Sequence, residues 1–529
     1  MVETELWLRG ALVVDGTGEE PFLSDVGIAG DKISEVVRAG AGHTGSGPET
    51  DCAGLLLAPG FIDLHTHSDL SFLLNDDPAS KIMQGVTTDV IGNCGFSAFP
   101  IHEPRRDALV ELVRGLGVPA FEAPWSDFDG YARALAEHEP LMNLAPLVGH
   151  GALRIAAVGT GREAVTQDLL GSLCGLLEES LEQGAFGMST GLTYVPSGFA
   201  EVPEIHVLGA VLRKYDALYA THARAAPGFD SVGEALEVGR QTGVRVQYSH
   251  VAINDPRIWG TAEQVLRQFE NAVESGVDVR YDIYPYDGSA SSLTQYLPAW
   301  VQEHGEEGIR EQLADGRRFE QARRELSEGL FGDIPWDWER VMVSLAGPGD
   351  EELEGMSIAS AARGHGMSPE ALCLDLCARH GNRVQVVLFY RAEADVEEFL
   401  AHPLSIIGSD GNAMPVTAPG RPHPRSFGTH ARLLERYVQN RKLLSLSEAV
   451  HKSTAAAADR LGMRDRGRIR PGAFADLVAL DLADVRETAT WTRPCSLATG
   501  VRHVWVNGER VVADGALTTA RPGRVLRRC

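Results

Sequence analysis

Across residues 60–409, short apolar runs of strand length alternate with amphipathic stretches of helix length, and this alternation restricts the fold more than any other feature of the chain. The strand-like runs are 60–65, 87–91, 144–149, 186–190, 218–222, 244–250, 277–284 and 404–409. Helical stretches lie between most of them, among them 162–183, 230–241 and 261–274, where apolar residues recur with the period of a helix. Eight strands separated by helices predict an α/β fold, a parallel sheet closed into a (β/α)8 TIM barrel. The step from 284 to 404 is too long for one crossover. An inserted subdomain is therefore expected after strand seven, at 288–403, with amphipathic stretches near 301–329 and 369–379. A late helix is expected at 444–461, stopped by Gly462.

The two ends of the chain have another texture. Period-2 alternation broken by Gly and Asp turns marks strands at 5–14, 25–29 and 32–37. The same pattern returns at 475–481 and 501–506, and Asn507-Gly508 is a strong hairpin turn into 509–513. The termini are expected to pair into one small β-sandwich. The chain then divides into a sandwich of 1–58 plus 465–529 around a barrel of 59–464.

Composition excludes several classes of partner. With 48 Lys+Arg against 73 Asp+Glu the formal net charge is −25, so nucleic acid and anionic membrane are repelled. No window approaches the roughly 18 apolar residues of a membrane span. The first residues lack the basic and apolar segments of a secretory signal, so a cytoplasmic location is expected. Seven cysteines in a chain of 529 residues do not suggest a disulfide framework. Cys373 and Cys377 share a helical face without a second pair and read as buried apolar thiols. A small-molecule substrate is the expected partner, and homo-oligomer formation is left open.

The chemistry gathers where a barrel keeps its active site, at the C-terminal ends of the strands. Strand one ends in His65-Thr66-His67, and residues i and i+2 of an extended chain point the same way. Strand two ends in Gly92-Asn93-Cys94-Gly95, strand five in His222, strand six in His250, and strand eight in Ser409-Asp410-Gly411. Each residue alone has an ordinary reading, as a surface pair or a buried thiol. Together, His65, His67, Cys94, His222, His250 and Asp410 form an N, S and O donor set that suits Zn²⁺. His150, at the end of strand three, is near enough for a supporting role. His102, His138, His304, His365, His380, His402 and His451 fall in helical or loop segments and are read as solvated or capping.

These residues resemble a known family. The run from Ala58-Pro59-Gly60-Phe61-Ile62-Asp63 through His67-Ser68-Asp69 looks like the opening barrel motif of the amidohydrolase superfamily. Gln84-Gly85-Val86-Thr87-Thr88, followed by Gly92-Asn93-Cys94-Gly95, is similar to the D-aminoacylase (N-acyl-D-amino-acid deacylase) family, in which a cysteine replaces the carboxylated lysine of many relatives. Gly191-Leu192-Thr193-Tyr194, Tyr284-Pro285-Tyr286, Gly408-Ser409-Asp410-Gly411 and His423-Pro424-Arg425 also match. So does the tail, with Asp465-Arg466-Gly467, Pro471-Gly472 and Ala475-Asp476-Leu477-Val478. The resemblance covers nearly the whole chain and implies a barrel, a terminal sandwich and an insertion after strand seven. It implies that Cys94, His222 and His250 hold a tight zinc, that His65 and His67 form a second, weaker site, and that Asp410 is the general base and acid.

Departures from the family pattern cluster where substrate binds. The strand-five histidine is followed by Ala223-Arg224-Ala225-Ala226-Pro227, without the family's acidic residues. Val251 and Ala252 stand where the family shows a His and a Lys, and Asp287-Gly288-Ser289-Ala290-Ser291 adds an acid and shifts the hydroxyls. Tyr194, Arg224, Tyr284, Ser289, Ser291 and Arg425 are the candidates for substrate contact. Lost basic positions disfavour an acidic side chain, so a neutral or hydrophobic N-acyl-D-amino acid is the expected substrate. Two alternatives stay open: another amide (a cyclic imide, a dipeptide or a specialised-metabolite N-acyl group), and a catalytically dead metal-binding scaffold.

Overall fold

A computed structural model describes residues 4–38, 47–225 and 230–528; Ala226, Pro227 and Cys529 lie outside the described residues. The barrel strands are β1 (Phe61–Asp63), β2 (Val86–Ile91), β3 (Asn143–Pro146, resuming at Val148–Gly149), β4 (Gly187–Gly191), β5 (Leu218–His222), β6 (Arg245–Tyr248), β7 (Val279–Ile283) and β8 (Ser405–Ile407). Neighbours pair in parallel in that order. A parallel bridge between Thr66 and Gly411 joins the ends of the first and last strands. Every residue of β2, β3 and β8 is buried, the burial on both faces that parallel strands under helices require. The helix Ala262–Glu274 shows how the outer layer docks: Ala262, Val265, Leu266, Phe269 and Ala272 form its buried face.

Both termini contribute to one nine-stranded sheet. Leu6–Val13 pairs with Phe22–Ala29 and Leu56–Pro59, and Leu56–Pro59 runs antiparallel to Leu477–Leu480. The hairpin expected at Asn507-Gly508 joins Val501–Val506 to Glu509–Ala513. Asn507 takes the left-handed conformation that such turns need, with φ of 49°. Between β7 and β8 a separate apolar core, including Leu293, Leu326, Val343, Leu374 and Val386, packs under a three-stranded antiparallel sheet of Ser289–Ser292, Gln385–Leu388 and Val341–Leu345. No helix among the described residues is long and apolar enough to cross a membrane.

Two helical expectations need correction, and the amphipathic region 301–329 resolves into separate elements. The stretch 162–183 becomes a helix only from Gln167, because the Thr166 side chain accepts from the Leu169 N–H and caps it. The stretch 301–329 is two helices, Gly305–Ala314 and Gly316–Ser327, divided where the Asp315 carboxylate accepts from Arg317 and Arg318. The late helix is also two, Leu446–Lys452 and Ala455–Arg460. The break at Ser453 frees its carbonyl to accept from the Ile62 N–H at 2.8 Å, which ties the segment to β1. Periodicity continues through each break, so only capping and tertiary hydrogen bonds end these helices.

Candidate metal centre

The strand ends bring all six expected donors together. His65 Nε2 lies 3.2 Å from Cys94 Sγ, and Cys94 Sγ lies 3.4 Å from His250 Nε2. His67 Nε2 is 3.0 Å from Asp410 Oδ1, which is 3.5 Å from His65 Nε2. The donors fall into two overlapping groups, His65, His67, Cys94 and Asp410, and Cys94, His222 and His250; within each, the ligand atoms lie within 4.8 Å of one another. Cys94 belongs to both.

The backbone is distorted where these side chains leave it. Cys94, His250 and Asp410 have φ of 53°, 39° and 54°, in the left-handed region that non-glycine residues avoid. Each such residue costs on the order of 1 kcal/mol or more, and strain of this kind collects at functional sites. Gly92 precedes Cys94 because a Cβ there would meet the Leu147 carbonyl oxygen at 2.0 Å.

Asp282, at the end of β7, is a site residue that sequence reasoning missed. Its Oδ1 accepts from His65 Nδ1 at 2.9 Å and from the His250 N–H at 2.7 Å, and Gln247 donates to Oδ2 at 3.0 Å. The carboxylate therefore holds the proton on His65 Nδ1 and turns the Nε2 lone pair toward the centre. A buried acid in the otherwise apolar run Tyr281-Asp282-Ile283 was the available signal. Thr193 acts on His222 in a related way, with Oγ1 2.8 Å from Nε2.

Electrostatics suit the donor set to a metal. Burial lowers the pKa of His67 and of His250, and lowers His222 to about 3, so these rings stay neutral with a free lone pair. For His65 burial opposes charge, but Asp282 and Cys94 raise its pKa well above the ordinary value. Burial pushes the Cys94 thiol up to about 11. A fully buried thiol among these imidazoles is placed to give up its proton to a cation. The Nδ1 atoms of His67 and His222 are buried without a hydrogen-bond partner, as for rings that still have a ligand to meet. The residues present fit a divalent metal with N, S and O donors.

The centre opens on a cavity of about 350 Å³. Tyr194, Arg224, Tyr284, Ser289, Ser291 and Arg425, the candidates for substrate contact, all line it. Their donors are not equally available. Arg224 is engaged with Glu234 and with the carbonyls of Gly198 and Ala200. Arg425 donates to Asp410 Oδ2 at 2.6 Å and to the Ala290 carbonyl. Burial would raise the Asp410 carboxyl, but Arg425 and the His67 hydrogen bond hold it well below the ordinary carboxylate range. Arg391, which sequence reasoning did not single out, also lines the cavity. It is 8% exposed, its guanidinium lies 4.3 Å over the Tyr284 ring, and its Nε and Nη1 have no partner. His150 stands away from the cavity lining, 2.9 Å from Ser197 Oγ and 2.8 Å from Glu204 Oε1.

A model of the amidohydrolase family matches residues 49–295 and 365–512. The chain is 35% identical over 526 residues to an N-acyl-D-glutamate deacylase of Alcaligenes xylosoxydans xylosoxydans, across 99% of this chain and 96% of that protein. It is 32% identical over 528 residues to a D-aminoacylase of the same organism, across 99% and 98% of the two chains. The structure of N-acyl-D-glutamate deacylase from Bordetella bronchiseptica, complexed with zinc and a phosphonate inhibitor that mimics the tetrahedral intermediate, aligns with a TM-score of 0.82 at 32% identity, covering 99% of this chain and 100% of that one.

Proposed function

The chain belongs to the amidohydrolase family, in its D-aminoacylase (N-acyl-D-amino-acid deacylase) branch, and from that premise we propose that it is a zinc-dependent deacylase of N-acyl-D-amino acids with neutral or hydrophobic side chains. As a member it is a metal-dependent hydrolase of linear amide bonds; the zinc, the substrate class and the residue roles are the proposal. The observation that carries it is the buried guanidinium of Arg391, whose Nε and Nη1 have no partner, in the cavity beside the six-donor centre.

Cys94, His222 and His250 would hold the tight zinc, with His65 and His67 beside it. When bound, the ion acidifies water and polarises the amide carbonyl. Asp410 Oδ1 takes the water proton and delivers it to the leaving nitrogen. Arg425 keeps Asp410 ionised and aimed by holding Oδ2. Tyr194, with its ring 4.9 Å from that of His222, lines the cavity beside that ligand. Arg391 is set to take the substrate carboxylate, the bidentate geometry to which a guanidinium is suited.

Of the three arginines that line the cavity among the described residues, Arg224 and Arg425 are engaged and Arg391 has free donors. One free guanidinium matches one carboxylate. That favours a neutral side chain over the second carboxylate of an N-acyl-glutamate or N-acyl-aspartate. The domain division given above and a cytoplasmic location belong to the same proposal, the former supported by the insertion's separate core.

The test is turnover of N-acetyl-D- and N-acetyl-L-amino acids, side by side, by zinc-loaded protein. Release of D-leucine, D-methionine or D-phenylalanine faster than D-glutamate is expected. No turnover of any D-substrate would sink the reading. Arg391→Met should raise KM for the preferred substrate by about 10- to 100-fold, the value of lost charge-assisted hydrogen bonds. It should also remove the preference for that substrate over its carboxamide. An unchanged preference would rule out the carboxylate role.

A further inference from the structure

Beneath the metal centre lies a buried charge that the chemistry above does not use. Lys81, on the connection from β1 to β2, and Asp63, at the end of β1, form an ion pair at 2.6 Å with both side chains fully buried. A buried ammonium is expensive to desolvate, and an apolar pair of the same volume is often the more stable choice. The location of the pair offers a reason for it.

Asp63 lies two residues before His65, and Ser409 lies one residue before Asp410. Asp63 Oδ1 accepts from the Ser409 N–H at 2.7 Å, while Lys81 Nζ donates to Asp63 Oδ2 and to Ser409 Oγ. Ser409 Oγ also accepts from the Gly411 N–H at 3.1 Å, and the His65 carbonyl accepts from the Asp410 N–H at 2.7 Å. These bonds fasten both sides of Asp410 across the seam where β1 meets β8. Asp410 is in the left-handed region, a conformation that persists only where its surroundings over-determine it. The two strands are close enough that a Cβ on Gly408 would lie 2.6 Å from His65 Cβ.

We propose that Lys81 is a positioning residue for the reaction: its ammonium, bridging Asp63 and Ser409, fixes the strained turn that aims Asp410 and the strand end that carries His65. It acts only through those residues and does not touch substrate. The proposal rests on the reading of Asp410 as the proton carrier.

Lys81→Met in the zinc-loaded enzyme is expected to lower kcat about 100-fold, the cost of a small misplacement of a reacting group. KM should stay within about threefold, since substrate binding is left alone. The cobalt-loaded variant should bind one equivalent like the parent but show a shifted visible absorption spectrum. That readout needs no substrate, so its failure is separable from failure of the deacylase reading. A folded Lys81→Met with the parent kcat and cobalt spectrum overturns the proposal.

If Lys81→Met does not fold, two further variants decide. Ser409→Ala removes the hydroxyl that accepts from both Lys81 and Gly411 and should lower kcat, with some loss of Tm from the donors left unpaired. Lys81→Met combined with Asp63→Asn removes both charges of the ion pair and keeps an oxygen for the Ser409 N–H. It should regain Tm while kcat stays low. Recovery of the parent kcat together with Tm would mean that Lys81 only stabilises the fold, and would refute the positioning role.

Discussion

Replacing Asp410 with Asn is expected to lower kcat/KM for amide hydrolysis by about 10³-fold or more, within the range that a positioned acid–base group contributes. Metal content should stay at the parent level. Asn keeps the shape of the side chain and one oxygen toward His67, so the hydrogen bond at 3.0 Å has a successor. It cannot take a proton from water or return one to a leaving amine. The Arg425 pairing at 2.6 Å is lost, because the Asn NH2 would face another donor, but Arg425 retains the Ala290 carbonyl and its stacking over Tyr284 at 4.9 Å. Metal analysis after gel filtration, with initial rates on the preferred N-acyl-D-amino acid, checks the outcome. Retention of more than about a tenth of the parent rate would remove Asp410 from the proton-carrying role.

Cys94→Ala is expected to lose both the metal and the activity. Cys94 is the one residue common to the two donor groups, so its removal breaks both at once. It also removes the only thiolate donor, and with it the negative charge that neutral His222 and His250 cannot replace. Ala tolerates the local backbone about as well as Cys does, and Gly92 and Gly95 already relieve the turn, so the fold should persist. Metal-to-protein stoichiometry is the direct readout. A Cys94→Ala variant that keeps a full equivalent of tight zinc would mean that the thiol is a buried bystander.

Much of the architecture could be read from local pattern. β5, Val501–Val506 and Glu509–Ala513 have the limits that alternation and turn residues imply. β1 and β8 are shorter than their apolar runs, because the chain turns toward the centre before the runs end. The three interrupted or delayed helices share a cause: Thr166, Asp315 and Ser453 divert backbone bonds, and hydropathy carries no record of that.

The site divides along the same line. The six donors were legible because each sits at a strand end, and strand ends follow from short-range periodicity and the i, i+2 relation of His65 and His67. Their convergence needs only the closure of a parallel barrel. The roles of the arginines were not legible. Arg224 and Arg425 carry the family motif, yet their donors are engaged with Glu234 and Asp410, while Arg391, unmarked by any motif, keeps its own free. Asp282 and Lys81 were hidden in the same way, one serving His65 from 217 residues away and the other reaching Ser409 across 328. The order of residues determined which groups stand at the mouth of the barrel. Only the tertiary structure decided which of them remain available to a ligand, because hydrogen-bond saturation depends on partners that are distant in sequence and leave no local trace.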